Sequence, residues 1–378
     1  MTKAFKSSTL ALFALILLAP FAQEQLSLFK YKSLTENRLM KKRPTDWPAL
    51  FEPGTGFAKR YEEYFNDNYG LRDLLIRTKN QLDYLFFHKS EKVLIGPDHW
   101  LFYRAVVEQE EINIELNPEA AWQKMFASIL KLNKVLAARG ITLVVMPCPM
   151  KNSVYPEFLP ASAPRRPNPT GLERYRKFLQ EHPEIVTLDT FLLLMKLKES
   201  SQVYYKTDFH WTDPAGAQMA KELVNKLSSL SGLGEPWNLP IKTRIEKMTA
   251  GGENHSLGLL WSIEEDAPSL QPNRGQAPTG EYAYTKEANE WTYRTKSASD
   301  KSKLLPCTVM FGDSFADAFT RAGFTAYFAE FHKFYNWEFT KKYLEIPEGT
   351  RFVIFQHIEV FLNPLLNQGF WPEEIKDK

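Results

Sequence analysis

One continuous apolar run, Ile141-Thr-Leu-Val-Val-Met146, constrains the fold more than any other stretch. A strand with one wet face alternates apolar and polar residues. A run without that alternation belongs to a strand covered on both faces, the pattern of a parallel sheet between helices. The flanking sequence agrees. Pro118 to Arg139 is an amphipathic helical stretch with Trp122, Phe126, Ile129, Leu130, Leu132 and Val135 on one face, and Gly140 ends it. Downstream the alternation continues, with a helix from Thr170 to Glu181, a strand at Ile185–Leu188 and a short helix over Asp189–Lys198. Another helix opens at Asp213-Pro214 and runs to about Leu230. Later strands are expected at Cys307–Phe311, Thr325–Phe328 and Arg351–Phe355, with a helix after Ser314. The expectation is an α/β fold with a mainly parallel sheet flanked by helices. Ligands of such sheets sit at the carboxyl ends of the strands.

The rest of the chain is read around this frame. Lys3 and Lys6 precede an apolar stretch from Leu10 to Ala22, so residues 1–22 read as a secretory signal or an N-terminal membrane anchor. Residues 23–55 are polar and mixed, a linker or extended arm. The main domain is expected over 56–378, beginning with helices around Phe57–Phe65 and Leu71–Phe87. A hairpin over Lys92–Tyr103 turns at Gly96-Pro97-Asp98 and leaves His99 exposed, and Pro147–Lys151 reads as a loop following the apolar strand. Residues 232–303 break the strand–helix alternation and read as an inserted region with partial structure of its own.

Composition excludes some functions. The formal net charge of +2 gives no electrostatic case for nucleic acid. No His or Cys spacing suggests a metal site, and no glycine fingerprint suggests a nucleotide cofactor. Aromatic residues make up 14% of the chain, including 9 Trp. Core packing accounts for them first, and a sugar-stacking surface is the second use.

Chemistry is concentrated in two short blocks. In Thr207-Asp208-Phe209-His210-Trp211-Thr212, the acid and the imidazole are two apart, which puts both on one face of an extended segment. An acid beside an imidazole fixes its tautomer and stabilises the imidazolium. About a hundred residues later the strand Cys307–Phe311 stops at Gly312-Asp313-Ser314-Phe315, a sharp turn that presents a serine at a helix start. Ser314, His210 and Asp208 therefore stand as nucleophile, base and orienting acid. Asp313 reads as a turn holder. Three further histidines, His255, His332 and His357, are weaker candidates.

These blocks resemble those of SGNH (GDSL-type) hydrolases. Their permuted order, with Lys206-Thr-Asp-Phe-His-Trp-Thr-Asp-Pro-Ala-Gly216 ahead of the serine, resembles the alginate O-acetyltransferase family of the AlgX/AlgJ type. Supporting stretches are Glu63–Asp73, the Ile95–Tyr103 hairpin and Pro149–Glu157. The resemblance implies an SGNH hydrolase-like fold and transfer of acetyl groups to an exported polysaccharide. It further implies a membrane-bound O-acyltransferase partner that supplies the acetyl group, a periplasmic location with possible tethering to the inner membrane, and substrate contacts from Tyr103, Lys151 and Arg72. The inserted region carries Glu253-Asn-His-Ser-Leu-Gly258 in place of a Gly-Asp-Leu pattern, and the last strand reads Gln356-His-Ile-Glu359-Val360 without a Glu-Arg pair. An acetyl esterase and a non-catalytic polysaccharide-binding scaffold remain open beside the transferase.

The two cysteines are expected to be free and buried. Cys148 follows one strand-like run, Ile141–Met146, and Cys307 opens another, about 15–20 Å apart if the strands are parallel neighbours. A disulfide needs Cα atoms within roughly 7 Å. Labelling with a thiol reagent under denaturing, non-reducing conditions should therefore count two thiols, and a count of zero would mean a disulfide and a different strand arrangement.

Overall fold

In the computed structural model, residues 3–28, 39–52, 54–109, 119–234, 236–249, 251–271, 280–285, 292–297, 303–336 and 346–367 are described. They fall into two units, Met1–Val93 with Asn254–Ile263, and Leu94–Glu253 with Glu264–Lys378.

The first unit is helical, with α1 (Lys3–Leu26), α2 (Phe57–Asn68) and α3 (Arg72–Phe87). α1 exposes Leu10, Phe13, Ile16, Leu17 and Phe21 and contains Pro20. Among the described residues, no helix is long and apolar enough to cross a membrane. Part of the expected arm is packed: Trp47 meets Phe57 and Tyr61 of α2 with ring centroids 5.4 and 5.6 Å away.

The second unit holds the sheet. Its strands, with the hairpin at its start, are β1 (Val93–Ile95), β2 (Leu101–Tyr103), β3 (Thr142–Cys148), β4 (Val186–Thr187), β5 (Thr243–Met248), β6 (Glu265–Leu270), β7 (Gly280–Thr285), β8 (Thr292–Ser297), β9 (Thr308–Gly312), β10 (Glu330–Tyr335) and β11 (Phe352–Ile358). Seven form one sheet in the order β4-β3-β11-β9-β10-β8-β7. The first five run parallel, and β8 and β7 add an antiparallel edge. The region 232–303 thus contributes two strands to the main sheet, and β5 pairs with β6 in a separate ribbon.

Helices α4 (Glu119–Ala138), α5 (Lys151–Val154), α6 (Gly171–Glu181), α7 (Thr190–Lys198), α8 (Asp213–Ser231), α9 (Gly252–Leu257), α10 (Asp317–Arg321) and α11 (Leu362–Asn367) follow in chain order, α9 crossing the boundary of the units. Strand periodicity sorts the apolar runs into two cores. Val144, Met146, Met310, Ile354 and Phe331 pack with Leu194 of α7 and Ala217, Ala220, Leu223 and Leu227 of α8. Leu143, Val145, Val309, Phe311, Val353 and Phe355 pack with Trp122, Ile129 and Leu136 of α4, Tyr175 and Phe178 of α6 and Leu362 of α11. Local signals set the helix starts. Thr170 and Glu173 form a capping box on α6, and the Asp189 and Thr212 side chains cap α7 and α8.

Several expectations need correction. β3 runs through Pro147 to Cys148, so the loop begins later than the prolines suggested. The strand expected at Thr325–Phe328 is a 3-10 turn over Phe324–Tyr327, entered through Gly323 at φ 86°. There the Tyr327 hydroxyl accepts from the N–H groups of Asn238 and Leu239, and its carbonyl accepts from Leu305. The strand comes afterwards as β10, whose pattern Lys333 had disguised; Lys333 is buried and its ammonium meets Asp317 Oδ1 at 2.6 Å. Only α10, five residues long, follows the serine turn. Both cysteines are free, but Cys307 is half-buried because it precedes its strand. The register Cys148↔Ile358 and Thr308↔Phe352 separates them by about 20 Å along the sheet.

His357 gives the fold a pH dependence. It lies fully buried on β11, 3.4 Å from the Tyr175 hydroxyl. Burial pushes its imidazole down from 6.5 to about 4. Between these values the unfolded chain binds a proton that the folded one refuses, so stability present above pH 6.5 is lost as pH falls through 4. The contribution is about 3 kcal/mol at most. Denaturant midpoints taken from pH 7 to pH 4 should fall less in His357→Phe than in the wild type; equal slopes would remove this assignment.

Candidate active site

Ser314 is set by its neighbour Asp313. β9 ends at Gly312, and Asp313 caps the 3-10 turn Ser314–Ala316. Asp313 Oδ1 accepts from the Phe315 N–H at 3.0 Å and from Gln356 Nε2 at 2.8 Å. Its Oδ2 accepts from the Ile358 N–H at 2.7 Å and from Asn336 Nδ2 at 3.4 Å. Gln356 Oε1 in turn accepts from the Asp313 N–H at 2.8 Å. That approach requires Gly312, since a Cβ there would stand 2.8 Å from Gln356 Oε1. Burial pushes the Asp313 carboxyl up, against these donors. With its lone pairs occupied in holding the turn, Asp313 is structural.

Asp208 and His210 reach the same place by another route. The segment is not extended, as the spacing suggested; it is a bend closed by a single bridge between Tyr204 and Trp211. Asp208 Oδ1 accepts the His210 N–H at 2.8 Å and meets the ring Nδ1 of the same residue at 2.7 Å. Backbone and side chain thus converge on one carboxylate oxygen, a local side-chain-to-backbone turn rather than strand periodicity. Burial pushes the Asp208 carboxyl up, but hydrogen bonds and charge from His210, with Lys151 beyond, outweigh it and hold it below its ordinary value. The ionised carboxylate accepts a hydrogen bond from Nδ1–H, which keeps the proton on that nitrogen and leaves the Nε2 lone pair to accept from a hydroxyl.

That hydroxyl is Ser314. His210 Nε2 lies 2.8 Å from Ser314 Oγ, across 104 positions of sequence. Ser314 stands at the carboxyl end of β9, where an α/β sheet places its ligands. Phe209 and Phe315 flank the imidazole with ring centroids at 4.0 and 5.1 Å. The His210 side chain keeps 29% of its surface exposed, so the reacting atoms are within reach of solvent. Trp211 fastens the two halves together: its Nε1 donates to the Phe315 carbonyl at 3.0 Å. The indole fits against α8 only because residue 216 is glycine; a Cβ there would meet the Trp211 Nε1 at 2.9 Å and crowd Ala318 of α10.

Residues 93–318, more than half of the chain, match the family model described as SGNH hydrolase-like domain, acetyltransferase AlgX. The chain belongs to this SGNH hydrolase-like acetyltransferase family. Two relatives are probable alginate O-acetylases AlgJ. The one from Pseudomonas fluorescens is 27% identical over 240 residues, covering 62% of this chain and 56% of the relative. The one from Pseudomonas putida is 28% identical over 182 residues, covering 46% and 45%. This chain spans about half the length of the curated relatives it matches. Bacillus cereus PatB1 has the same fold, with a TM-score of 0.52 at 12% identity over 74% of this chain and 98% of that one.

The substrate contacts implied by resemblance land in different places. Tyr103 is half-buried, its ring 5.5 Å from that of Phe209 beside the imidazole. Lys151 is only 1% exposed, and its ammonium donates to three main-chain carbonyls, so it is not a surface contact. Arg72 belongs to α3 in the other unit and pairs with Asp73 at 3.3 Å. His255 is exposed on α9, and His332 lies at the opposite end of the sheet. There Cys307, Glu330 and His332 lie within 4.8 Å of one another, the one group of this kind among the described residues, with His332 Nε2 bonded to Glu330 at 2.8 Å.

Sequence reasoning missed Gln356 and Asn336, which hold Asp313, and Glu265, which takes the Thr207 N–H and hydroxyl at 3.0 and 2.6 Å. Each acts through a partner far away in sequence, and no local pattern marks it. Phenylmethanesulfonyl fluoride should form one adduct, on Ser314, and His210→Ala should slow its formation by about 10²-fold or more. An adduct elsewhere, or an unchanged rate, would remove the nucleophile and base assignments.

Proposed function

We propose that this protein is an O-acetyltransferase that carries acetyl groups to hydroxyls of an exported polysaccharide through an acetyl-Ser314 intermediate. The observation behind this reading is the unbroken chain from Ser314 Oγ through His210 to Asp208, at 2.8 and 2.7 Å. In the first half-reaction Ser314 Oγ attacks the acetyl carbonyl of the donor while His210 Nε2 takes the hydroxyl proton. Asp208 stabilises the imidazolium that forms. The tetrahedral adduct collapses, His210 returns the proton to the leaving group, and acetyl-Ser314 remains. In the second half-reaction a sugar hydroxyl gives its proton to His210 and attacks the ester. Collapse then releases the O-acetyl sugar and restores Ser314.

The acceptor to test first is alginate, because the similar proteins of Pseudomonas are described as probable alginate O-acetylases. Family membership supports transfer over hydrolysis. The apolar helix α1 behind Lys3 and Lys6 supports export, with the catalytic unit in the periplasm and the N-terminal segment at the inner membrane. A membrane-bound O-acyltransferase would deliver the acetyl group there. In this reading residues 1–22 serve targeting or anchoring, and the residues from 56 onward carry the chemistry.

A chromogenic acetyl ester assayed with and without oligosaccharide tests the proposal. Transfer predicts a burst followed by turnover that requires the acceptor, with acetyl groups found on the sugar. Acceptor-independent release would make the protein an esterase, and sugar binding without turnover would make it a scaffold. Ser314→Ala and His210→Ala should each lower ester turnover by about 10³-fold or more, and Asp208→Asn as much or less, with circular dichroism unchanged.

A further inference from the structure

Behind the triad lies a buried ion pair that the chemistry above does not use. Lys151 opens α5 directly after β3. Its Nζ donates to the carbonyls of Tyr205 at 3.2 Å, Lys206 at 3.1 Å and Asp208 at 2.9 Å, and lies 3.2 Å from Glu253 Oε1. All three carbonyls belong to the bend that presents Asp208 and His210. Both partners are 1% exposed, and Glu253 Oε2 has no hydrogen-bond partner among the described residues. Gly252, at φ 53°, brings the backbone so close that a Cβ would stand 3.0 Å from Asp208 Oδ2. The back of the bend is therefore closed by Gly252, Glu253 and Lys151.

Buried carbonyls away from water need donors, and one ammonium serves three of them. Its charge has a cost, because a cation beside Asp208 weakens that carboxylate's support for an imidazolium. Other charged groups face this site. Glu265 holds the Lys206 and Thr207 N–H groups, and the Tyr205 hydroxyl takes the Asp213 N–H, while Asp213 pairs with Arg321. Glu253 is the carboxylate in direct contact with the ammonium. Burial pushes it up to about 7, with Asp208 adding to the rise and Lys151 opposing it. Burial likewise pushes Lys151 down, and Glu253 pulls it back.

We propose that Lys151 and Glu253 are positioning residues for acyl transfer: Lys151 pins the Asp208–His210 bend from behind, and Glu253 cancels its charge so that Asp208 remains the effective counterion of the His210 ring. The inference rests on the reading of Ser314, His210 and Asp208 above. It predicts that Glu253→Gln, which keeps size and an oxygen for Lys151, leaves the ammonium uncompensated. The imidazolium is then harder to form. Adding Lys151→Met to that variant removes the excess charge but releases the bend.

The test follows the His210 ring by NMR across pH in the full chain, beside kcat/KM for 4-nitrophenyl acetate. In Glu253→Gln the ring titration and the acid limb of the kcat/KM profile should both move to lower pH. In Lys151→Met/Glu253→Gln the titration should return towards the wild-type position while kcat falls about tenfold or more and KM holds. A folded Glu253→Gln whose ring titrates as in the wild type overturns the proposal. If that variant does not fold, the double variant decides, and wild-type kcat there overturns it as well. The ring titration needs no turnover. An inactive wild type would therefore sink the functional reading alone, and an unmoved titration would sink this inference alone.

Discussion

The Asp313 carboxylate is the point on which the carboxyl end of this sheet depends. Four donors from three stretches of chain meet its two oxygens: Phe315 in its own turn, Gln356 and Ile358 on β11, and Asn336 just past β10. A carboxylate buried this deeply is costly unless its lone pairs are filled. The same contacts that offset the cost lock the ends of three neighbouring strands together. Ser314 inherits its position from that lock. Ser314 is thus placed by a residue whose lone pairs are taken up in holding the turn, beside it in sequence and identical in type to Asp208.

The sheet and most helices were legible because burial on two faces leaves a readable mark. The Ile141–Met146 run and the amphipathic α4 gave β3 and its cover almost to the residue. The signal failed where polar residues are buried with partners. Lys333 hid β10, because a lysine inside a sheet is tolerable only with Asp317 at hand, and Asp317 lies in a helix sixteen positions earlier. Thr325–Phe328 failed in the opposite sense, since β-prone residues were bent into a turn by contacts to Leu305, Asn238 and Leu239.

The site divides along the same line. Ser314, His210 and Asp208, which the structure brings together, each sit in a short local context that the sequence displays. Asp208 and His210 nevertheless meet through an oxygen that caps a bend, not through alternation on a strand. Lys151 was expected as a substrate contact, and the structure buries it against main-chain carbonyls. Its partners are carbonyls, and carbonyls carry no sequence signature. Glu253, Gln356 and Glu265 were invisible as contributors for that reason.

The bond between Trp211 Nε1 and the Phe315 carbonyl bears on how the proton moves. Trp211 follows the base directly and Phe315 follows the nucleophile directly, so this bond spans the same gap one residue on. It involves neither reacting atom and is sheltered from water, Trp211 being 1% exposed. In the proposed cycle Ser314 loses its proton and becomes an ester oxygen, so the hydrogen bond between serine and histidine would change partners twice in each turn. The indole bond does not change. In the proposed cycle the distance the proton crosses would therefore be kept by a strut outside the reacting atoms, which would hold an acetylated Ser314 within reach of His210.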